Sequence, residues 1–382
     1  MVQDLVIYSL FIVYCIGLLM SFGGLLTWVE RKLAALVSDR IGANRAYIRI
    51  PFTDIKLICI GLFHGIADGL KMLLKEDFKP KTHDWFAYMI APWFSFIPVL
   101  IVFAVIPFGG EFRPNEFFSF IPDLANWFNG KTYQMQIANL DAGILILLVS
   151  GGLGSTGAML AGWSSNNKFS LMGAIRTGSQ MLSFELMVGI SIVGVILIHG
   201  TVNLFEIASN QSGIILGFLP AWGIFTQPLA AILFLVASMA ENKRAPFDLP
   251  ECESELVSGY FTEYNGMKMG IFMFGEFIEI AVISALFTVL FLGGANLPYL
   301  HNHGFILPGG YNIELSHQLV VFIQIITFIA KMFLLSAFQI LVRWSLPRFR
   351  YDQLLGFAWK FIFPIGLVNI IVTAVILLII RG

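Results

Sequence analysis

Eight stretches of this chain are each about the 20 apolar residues that a helix needs to cross a hydrocarbon layer. Inside lipid every backbone N–H and C=O must find its partner within the segment, so stretches of this length fold there as helices. They run Leu5 to Val29, Tyr88 to Pro107, Ala142 to Gly162, Gln180 to His199, Gly223 to Ala240, Gly270 to Gly293, Leu319 to Val342 and Phe361 to Ile380. The expected fold class is all-α: one polytopic integral membrane domain over residues 1–382 with about eight spanning helices. With 57% hydrophobic and 12% charged side chains, a soluble domain is excluded. The balance of 23 basic against 24 acidic residues leaves no footprint for nucleic acid. Cys15, Cys59 and Cys252 stand apart, which argues against a disulfide framework, an iron–sulfur cluster or a zinc site. The first stretch lacks a basic leader and a clear cleavage pattern, so it reads as a retained span.

Lysine and arginine are distributed unevenly between the connections. The loops after the first, third, fifth and seventh spans hold 19 of them, against three (Arg113, Lys131 and Arg381) on the other side. Basic flanks are retained in the cytoplasm, so both termini are expected to face outward. The first of these loops contains a helix-length stretch, Asp54 to Lys75, in which His64, Asp68, Lys71 and Lys75 recur at helical spacing among apolar residues. It is expected to lie along the interface, with Gly61, Gly65 and Gly69 on a neighbouring stripe that admits a helix or a flat ligand. A surface helix that merely closes the bundle has the same pattern.

The fifth span leads into a hydrophilic island, 241–260, with Glu251, Glu253 and Glu255 at alternate positions, Glu241 and Asp248 before them and Glu263 after. Crowded acids in a low dielectric raise one another's pKa, which makes such a loop a place to hold and pass protons. Pro246 and Pro250 interrupt the helix, and Asp248 with Glu251 has capping-box spacing for a new short helix carrying Glu251 and Glu255 on one face.

Ionisable residues inside spans are costly, about 2.5–3.5 kcal/mol each, and mark function by default. By helical rise Glu185 lies roughly 8 Å into the fourth span, and Glu276 and Glu279 roughly 9 and 13 Å into the sixth, on one face. Lys331 sits near the middle of the seventh. Together they describe a polar path from the loop acids toward the bilayer centre. A structural pairing of Lys331 with one of these glutamates is the plainer alternative.

Gly152, Gly154 and Gly157 match G-x-G-x-x-G but lie within an apolar span, so close helix packing is expected rather than nucleotide binding. The six histidines show no metal-ligand spacing.

Several segments occur in an order that resembles the H subunit of bacterial NADH–quinone oxidoreductase, respiratory complex I. They are Glu30-Arg31-Lys32, Arg40-Ile-Gly-Ala-Asn-Arg45, Ala67-Asp-Gly-Leu-Lys71, Trp163-Ser-Ser-Asn-Asn-Lys168, Ser183-Phe-Glu185, Glu241-Asn-Lys-Arg-Ala-Pro-Phe-Asp248, Glu253-Ser-Glu-Leu-Val-Ser-Gly259 and Arg350-Tyr-Asp-Gln353. The resemblance implies a multi-pass component of the bacterial inner membrane that forms part of a quinone chamber and couples quinone reduction to proton translocation. The implied cofactor is quinone as substrate, with no metal or flavin in this chain and no activity in isolation. The implied partners are the neighbouring membrane subunits, the hydrophilic iron–sulfur subunits and lipid. Carried onto matching positions, Arg31, Arg40, Asp68 and Phe247 are expected near the quinone path. Glu185, Glu241, Glu251, Glu253, Glu255, Glu263 and Glu276 are expected to begin the proton-coupling chain, while Glu279 and Lys331 rest on depth alone. Ala43 departs from the family's usual proline, and the stretch between Arg45 and Ala67 is longer than usual. Two rival readings are a stand-alone ion or solute transporter and the related component of a membrane-bound hydrogenase-type complex.

Overall fold

The computed structural model describes residues 2–49, 56–57, 59–128, 130–215, 219–250, 253–301, 304–307 and 311–381. Among them, seven helices are long and apolar enough to cross a membrane. They are α1 (Val2–Val37), α3 (Trp85–Val105), α4 (Gly143–Ser164), α5 (Lys168–His199), α7 (Gly266–Phe291), α8 (His317–Ser345) and α9 (Tyr351–Ile380). Two shorter helices, α2 (Phe63–Leu74) and α6 (Pro228–Glu241), pack with them. Polar caps fix several starts: the Asp84 side chain accepts from the N–H groups of Phe86 and Ala87, and Asn167 and Asn265 cap α5 and α7 in the same manner.

Helices α5 and α9 begin at Lys168 and Tyr351, ahead of the expected Gln180 and Phe361, and two other elements are shorter than expected. The fifth span, expected from Gly223, is broken: a single turn, Gly223–Thr226, is followed by Gln227 at φ −137°, ψ 59°, and only then by the 14-residue α6. Proline disfavours helical geometry in the residue before it and is at home in the first turn of a helix, so Pro228 restarts the helix. The Gln227 side chain is satisfied by Thr373 at 2.7 Å and Asn369 at 3.0 Å, both from α9. The interfacial helix, expected over 54–75, is confined to α2. Before it Ile48–Arg49 pairs with Lys56–Leu57, and Gly61 turns the chain at φ +90°. A Cβ at Gly61 would lie 2.0 Å from the Ala43 carbonyl oxygen, so this glycine serves a close backbone approach rather than a helical stripe.

Helix α4 packs between α3 and α5. A Cβ at Gly157 would stand 2.6 Å from the Ser95 backbone nitrogen, and one at Gly162 2.5 Å from the Ser170 carbonyl oxygen, so small residues let these backbones meet. Helix α7 is buried along nearly its whole length, against α1, α3 and α8. Past the end of α7, three short antiparallel strands, Leu300–His301, Gly304–Leu307 and Tyr311–Glu314, form a small sheet, with Phe305 opposite Ile313.

Helices α1, α4, α6 and α8 end, and α3, α5, α7 and α9 begin, at one end of the bundle, where the basic connections gather. There the Asp84 N–H donates to the Ser164 carbonyl at 3.0 Å, Lys268 pairs with Asp77 at 2.9 Å, and the Phe349 N–H donates to the Pro246 carbonyl at 3.1 Å. This charged end carries the candidate site.

Candidate functional site: a buried ion network and an acid-lined cavity

At the foot of α1, Glu30 is held by two guanidinium groups, Arg244 at 2.9 Å and Arg343 from the end of α8. Arg244, just beyond α6, reaches across to Glu276 of α7 at 3.4 Å and lies over the Phe277 ring, 4.2 Å from its centroid. Arg244 and Glu276 are both buried, and Glu30 nearly so. The network therefore joins α1, α7, α8 and the end of α6 through charges that solvent screens little. The Tyr260 hydroxyl donates to Glu276 Oε1 at 3.4 Å.

Beside this network lies a cavity of about 80 Å³, lined by Glu241, Lys243, Tyr260, Glu276 and Glu279 among apolar residues of α3, α4, α5 and α7. Its size and polar wall leave room for a few waters. Helix α4 opposes the acids with glycine. A Cβ on Gly151 would stand 2.8 Å from Glu241 Oε1, and one on Gly152 3.4 Å from Glu185 Oε1. The missing side chains thus form a recess that receives carboxylates from α5 and α6. Glu276 and Glu279 line the cavity with Glu241, and Glu185, expected at similar depth, adjoins Glu241 at the recess. A chain of carboxylates, a phenol and water of this kind is able to relay a proton and to register a change of nearby charge.

The other expected residues lie elsewhere. Glu255 is half exposed and pairs with Arg176 at 2.5 Å. Glu263 accepts from Asn167 Nδ2 at 2.6 Å, while its backbone carbonyl accepts from the Tyr88 hydroxyl at 2.9 Å. Glu251 falls outside the described residues, and Glu253 opens the single turn Glu253–Leu256. Of the short helix expected from an Asp248 cap, the described residues contain that turn, and its Glu251 lies outside them. Asp248 instead binds Arg348 of the α8–α9 connection at 2.9 Å, and Arg343 at the end of α8 adds to the attraction. Arg31 and Asp68 form an exposed ion pair between α1 and α2, and Arg40 is exposed in the turn after α1. Phe247 is buried, stacked 5.6 Å from Phe349 and tilted 6.2 Å from Phe184. Among the described residues Lys331 joins none of the glutamates. It lies roughly 18 Å along α8 from Arg343 and donates to the carbonyls of Leu292, Gly294 and Asn296. Among the described residues no cluster of His, Cys, Asp or Glu is arranged to hold a metal ion.

Sequence reasoning gives no site role to Glu30, Lys243, Arg244, Tyr260 or Arg343. Glu30 lies one residue past the expected end of the first span, and its partners are 214 and 313 residues away, so no spacing connects them.

Burial pushes the Asp248 carboxyl up to about 6, against the opposing pull of Arg348 and Arg343. A carboxyl whose folded-state pKa is raised contributes stability that is fully present below its unfolded value, about 3.8, and is lost as pH rises through about 6. Asp248→Asn is therefore expected to flatten the stability profile between pH 4 and 6. Thermal unfolding of the detergent-solubilised protein at several pH values checks this; a parallel profile in the variant would show that another group titrates there.

The chain is similar to known proteins along nearly its whole length. Residues 9–374 match the family model described as NADH dehydrogenase. The chain is 38% identical over 374 residues to the H subunit of NADH-quinone oxidoreductase from Flavobacterium psychrophilum, covering 98% of this chain and 97% of that protein. It is 36% identical over 352 residues to the corresponding H 1 subunit of Cytophaga hutchinsonii, covering 92% and 91%. With the H subunit of the Bdellovibrio bacteriovorus enzyme the identity is 37% over 366 residues, covering 92% and 91%.

Proposed function

The chain belongs to the family of NADH-quinone oxidoreductase H subunits, and from this we infer that it is the complex I membrane component that couples quinone reduction to proton movement. The observation that carries the coupling role is the continuity between the Glu30–Arg244–Glu276 network and the acid-lined cavity. A charge change at the basic end is felt in the cavity through buried ion pairs, because a low dielectric leaves such interactions strong.

Quinone enters from the bilayer beside α1 and α7, where α2 bridges them. Trp28 Nε1 of α1 donates to the Ile60 carbonyl at 3.0 Å just ahead of α2, and Met72 of α2 lies against Gly270 of α7. Arg31, Arg40 and Asp68 stand on this side, ready to orient a polar head group, while Phe247 supports the loop from behind. Ile66, Leu70, Leu73 and Leu74 of α2 are exposed. They form an apolar surface for the isoprenoid tail, for lipid or for a neighbouring hydrophilic iron–sulfur protein of the complex. Reduction takes two electrons and two protons. Electrons come from the partner subunits, and this chain's residues bind, orient and shift protons. The loop acids Glu251, Glu253, Glu255 and Glu263 sense the charge change, and Glu276, Glu279, Glu241 and Glu185 pass it inward. By the excess of basic residues, the charged end faces the cytoplasm and both termini face outward. The transporter and hydrogenase readings have no observation in their favour among these relatives, all named for a quinone oxidoreductase.

Gentle solubilisation with a tag on the C-terminus tests the assignment: the chain is expected to bring down inhibitor-sensitive NADH–quinone reductase activity, and its recovery without redox activity would count against the reading. Within that complex Glu255→Gln is expected to lower quinone-linked turnover and pumping severalfold with assembly intact, since it loses only an exposed ion pair to Arg176. Normal pumping in this variant would remove Glu255 from the coupling chain.

A further inference from the structure

Lys243 is a buried lysine that the ion network does not use. It follows α6 in a left-handed backbone conformation, φ +54°, which is uncommon outside glycine, and its side chain lines the cavity. It is 5% exposed. Its Nζ donates to the Tyr260 hydroxyl at 3.4 Å and lies 5.2 Å from the centre of that ring. Among the described residues no carboxylate stands within ion-pairing distance of it, whereas the neighbouring Arg244 is committed to Glu30 and Glu276.

The ionisable groups around Lys243 come from every side. Glu276 and Glu279 face it from α7, Glu241 from the end of α6 and Tyr260 from the loop. Glu185 of α5 adjoins Glu241 across the Gly151–Gly152 recess, and Arg244 follows in the chain. Helices α3 and α4 present only Ser95, Ser150 and glycines as their non-apolar lining. A buried ammonium is costly without an anion nearby, and lysine carries its point charge on a flexible stem. One cation beside three carboxylates on the wall of a single cavity is placed to serve whichever of them is ionised.

We propose that Lys243 is a positioning residue of the coupling pocket, a mobile counter-charge that leaves its seat on Tyr260 to pair with whichever of Glu276, Glu279 and Glu241 gives up its proton. The proposal rests on the coupling role inferred above and deepens it. Movement of the ammonium toward the carboxylate that has just lost its proton pairs the new negative charge at short range, which lowers the electrostatic cost of each transfer. Tyr260, bonded to both Lys243 and Glu276, is the pivot.

The test uses membranes containing the intact complex and compares Lys243→Gln, Lys243→Arg and Glu276→Gln. The readouts are NADH–quinone turnover against pH, protons moved per electron and the amount of assembled complex. Without the cation the carboxylates ionise less readily. In Lys243→Gln the acidic limb of the pH–rate profile is therefore expected to move up by about one pH unit, a loss of about tenfold on that limb. Lys243→Arg is expected to return the limb toward its native position. A uniform loss at every pH that tracks lost complex, with Arg no better than Gln, would overturn the proposal by making Lys243 a packing element. An unshifted profile in Lys243→Gln while Glu276→Gln loses pumping overturns the role of Lys243 alone. If Glu276→Gln also pumps normally, the coupling reading falls with it.

Discussion

Arg244→Met is expected to lower quinone-linked activity by about tenfold or more, with most of that loss arising from reduced assembly. Arg244 is buried and is the shared partner of two carboxylates on different helices, Glu30 at 2.9 Å and Glu276 at 3.4 Å. Methionine restores the packing over Phe277 but leaves both acids in a low-dielectric site with one positive charge fewer. Glu30 retains Arg343, whereas Glu276 keeps the weaker Tyr260 hydroxyl contact. Removing one member of a buried ion pair costs about 3–5 kcal/mol, which lowers the ratio of folded to unfolded chain by roughly 100-fold or more and consumes most of the stability of a marginal protein. Immunoblots of membranes report the assembled chain, and NADH–quinone turnover per assembled complex reports what remains. If the cause is an uncompensated carboxylate, the double variant Arg244→Met with Glu276→Gln recovers assembly while turnover stays low. Full assembly of the single variant would show that the network is not what holds α1 to α7.

The arrangement of the membrane helices is legible in the residues because the constraint is one-dimensional: an uninterrupted apolar run has to become a helix in lipid. The exceptions arise where backbone chemistry overrides apolarity. Pro228 splits the fifth run at Gln227, and Gly61, pressed against Ala43, delays α2 until Phe63. The acids are legible by a second argument, since charge at spanning depth is too costly to be incidental. Glu185, Glu276 and Glu279, together with Glu241, do surround one recess and cavity. Their partners are not legible. Arg343 and Glu30 are 313 residues apart, and nothing local in either segment indicates that one neutralises the other. Depth along a single helix also misleads for Lys331. Residue number locates it at the centre of α8, but α7 ends at Phe291, and Lys331 stands at the level of that end rather than among the glutamates.

That position leads to the second large effect, in Lys331→Met. The three hydrogens of an ammonium have three acceptors here, the carbonyl oxygens of Leu292 at 2.7 Å, Gly294 at 3.0 Å and Asn296 at 2.8 Å, while the Trp222 ring lies 4.6 Å away. The carbonyls follow the last turn of α7, where the helix dipole places partial negative charge, and Gly293 and Gly294 at φ +71° and +58° fold the chain back to present them. A cation at this point closes the end of a buried helix in the way that water would close an exposed one. Methionine matches the length of the stem and offers no donor, so the carbonyls lose their partner at about 1–3 kcal/mol each where water does not replace it. The thermal midpoint of the solubilised complex is therefore expected to fall by several degrees or more, with Lys331→Arg falling less. The clamp and a place in the proton path make opposite predictions for one further quantity. A clamp leaves protons per electron unchanged in whatever complex assembles, because no proton passes through an ammonium whose three hydrogens are held by backbone carbonyls. A normal midpoint with reduced pumping per electron would instead return Lys331 to the coupling chain.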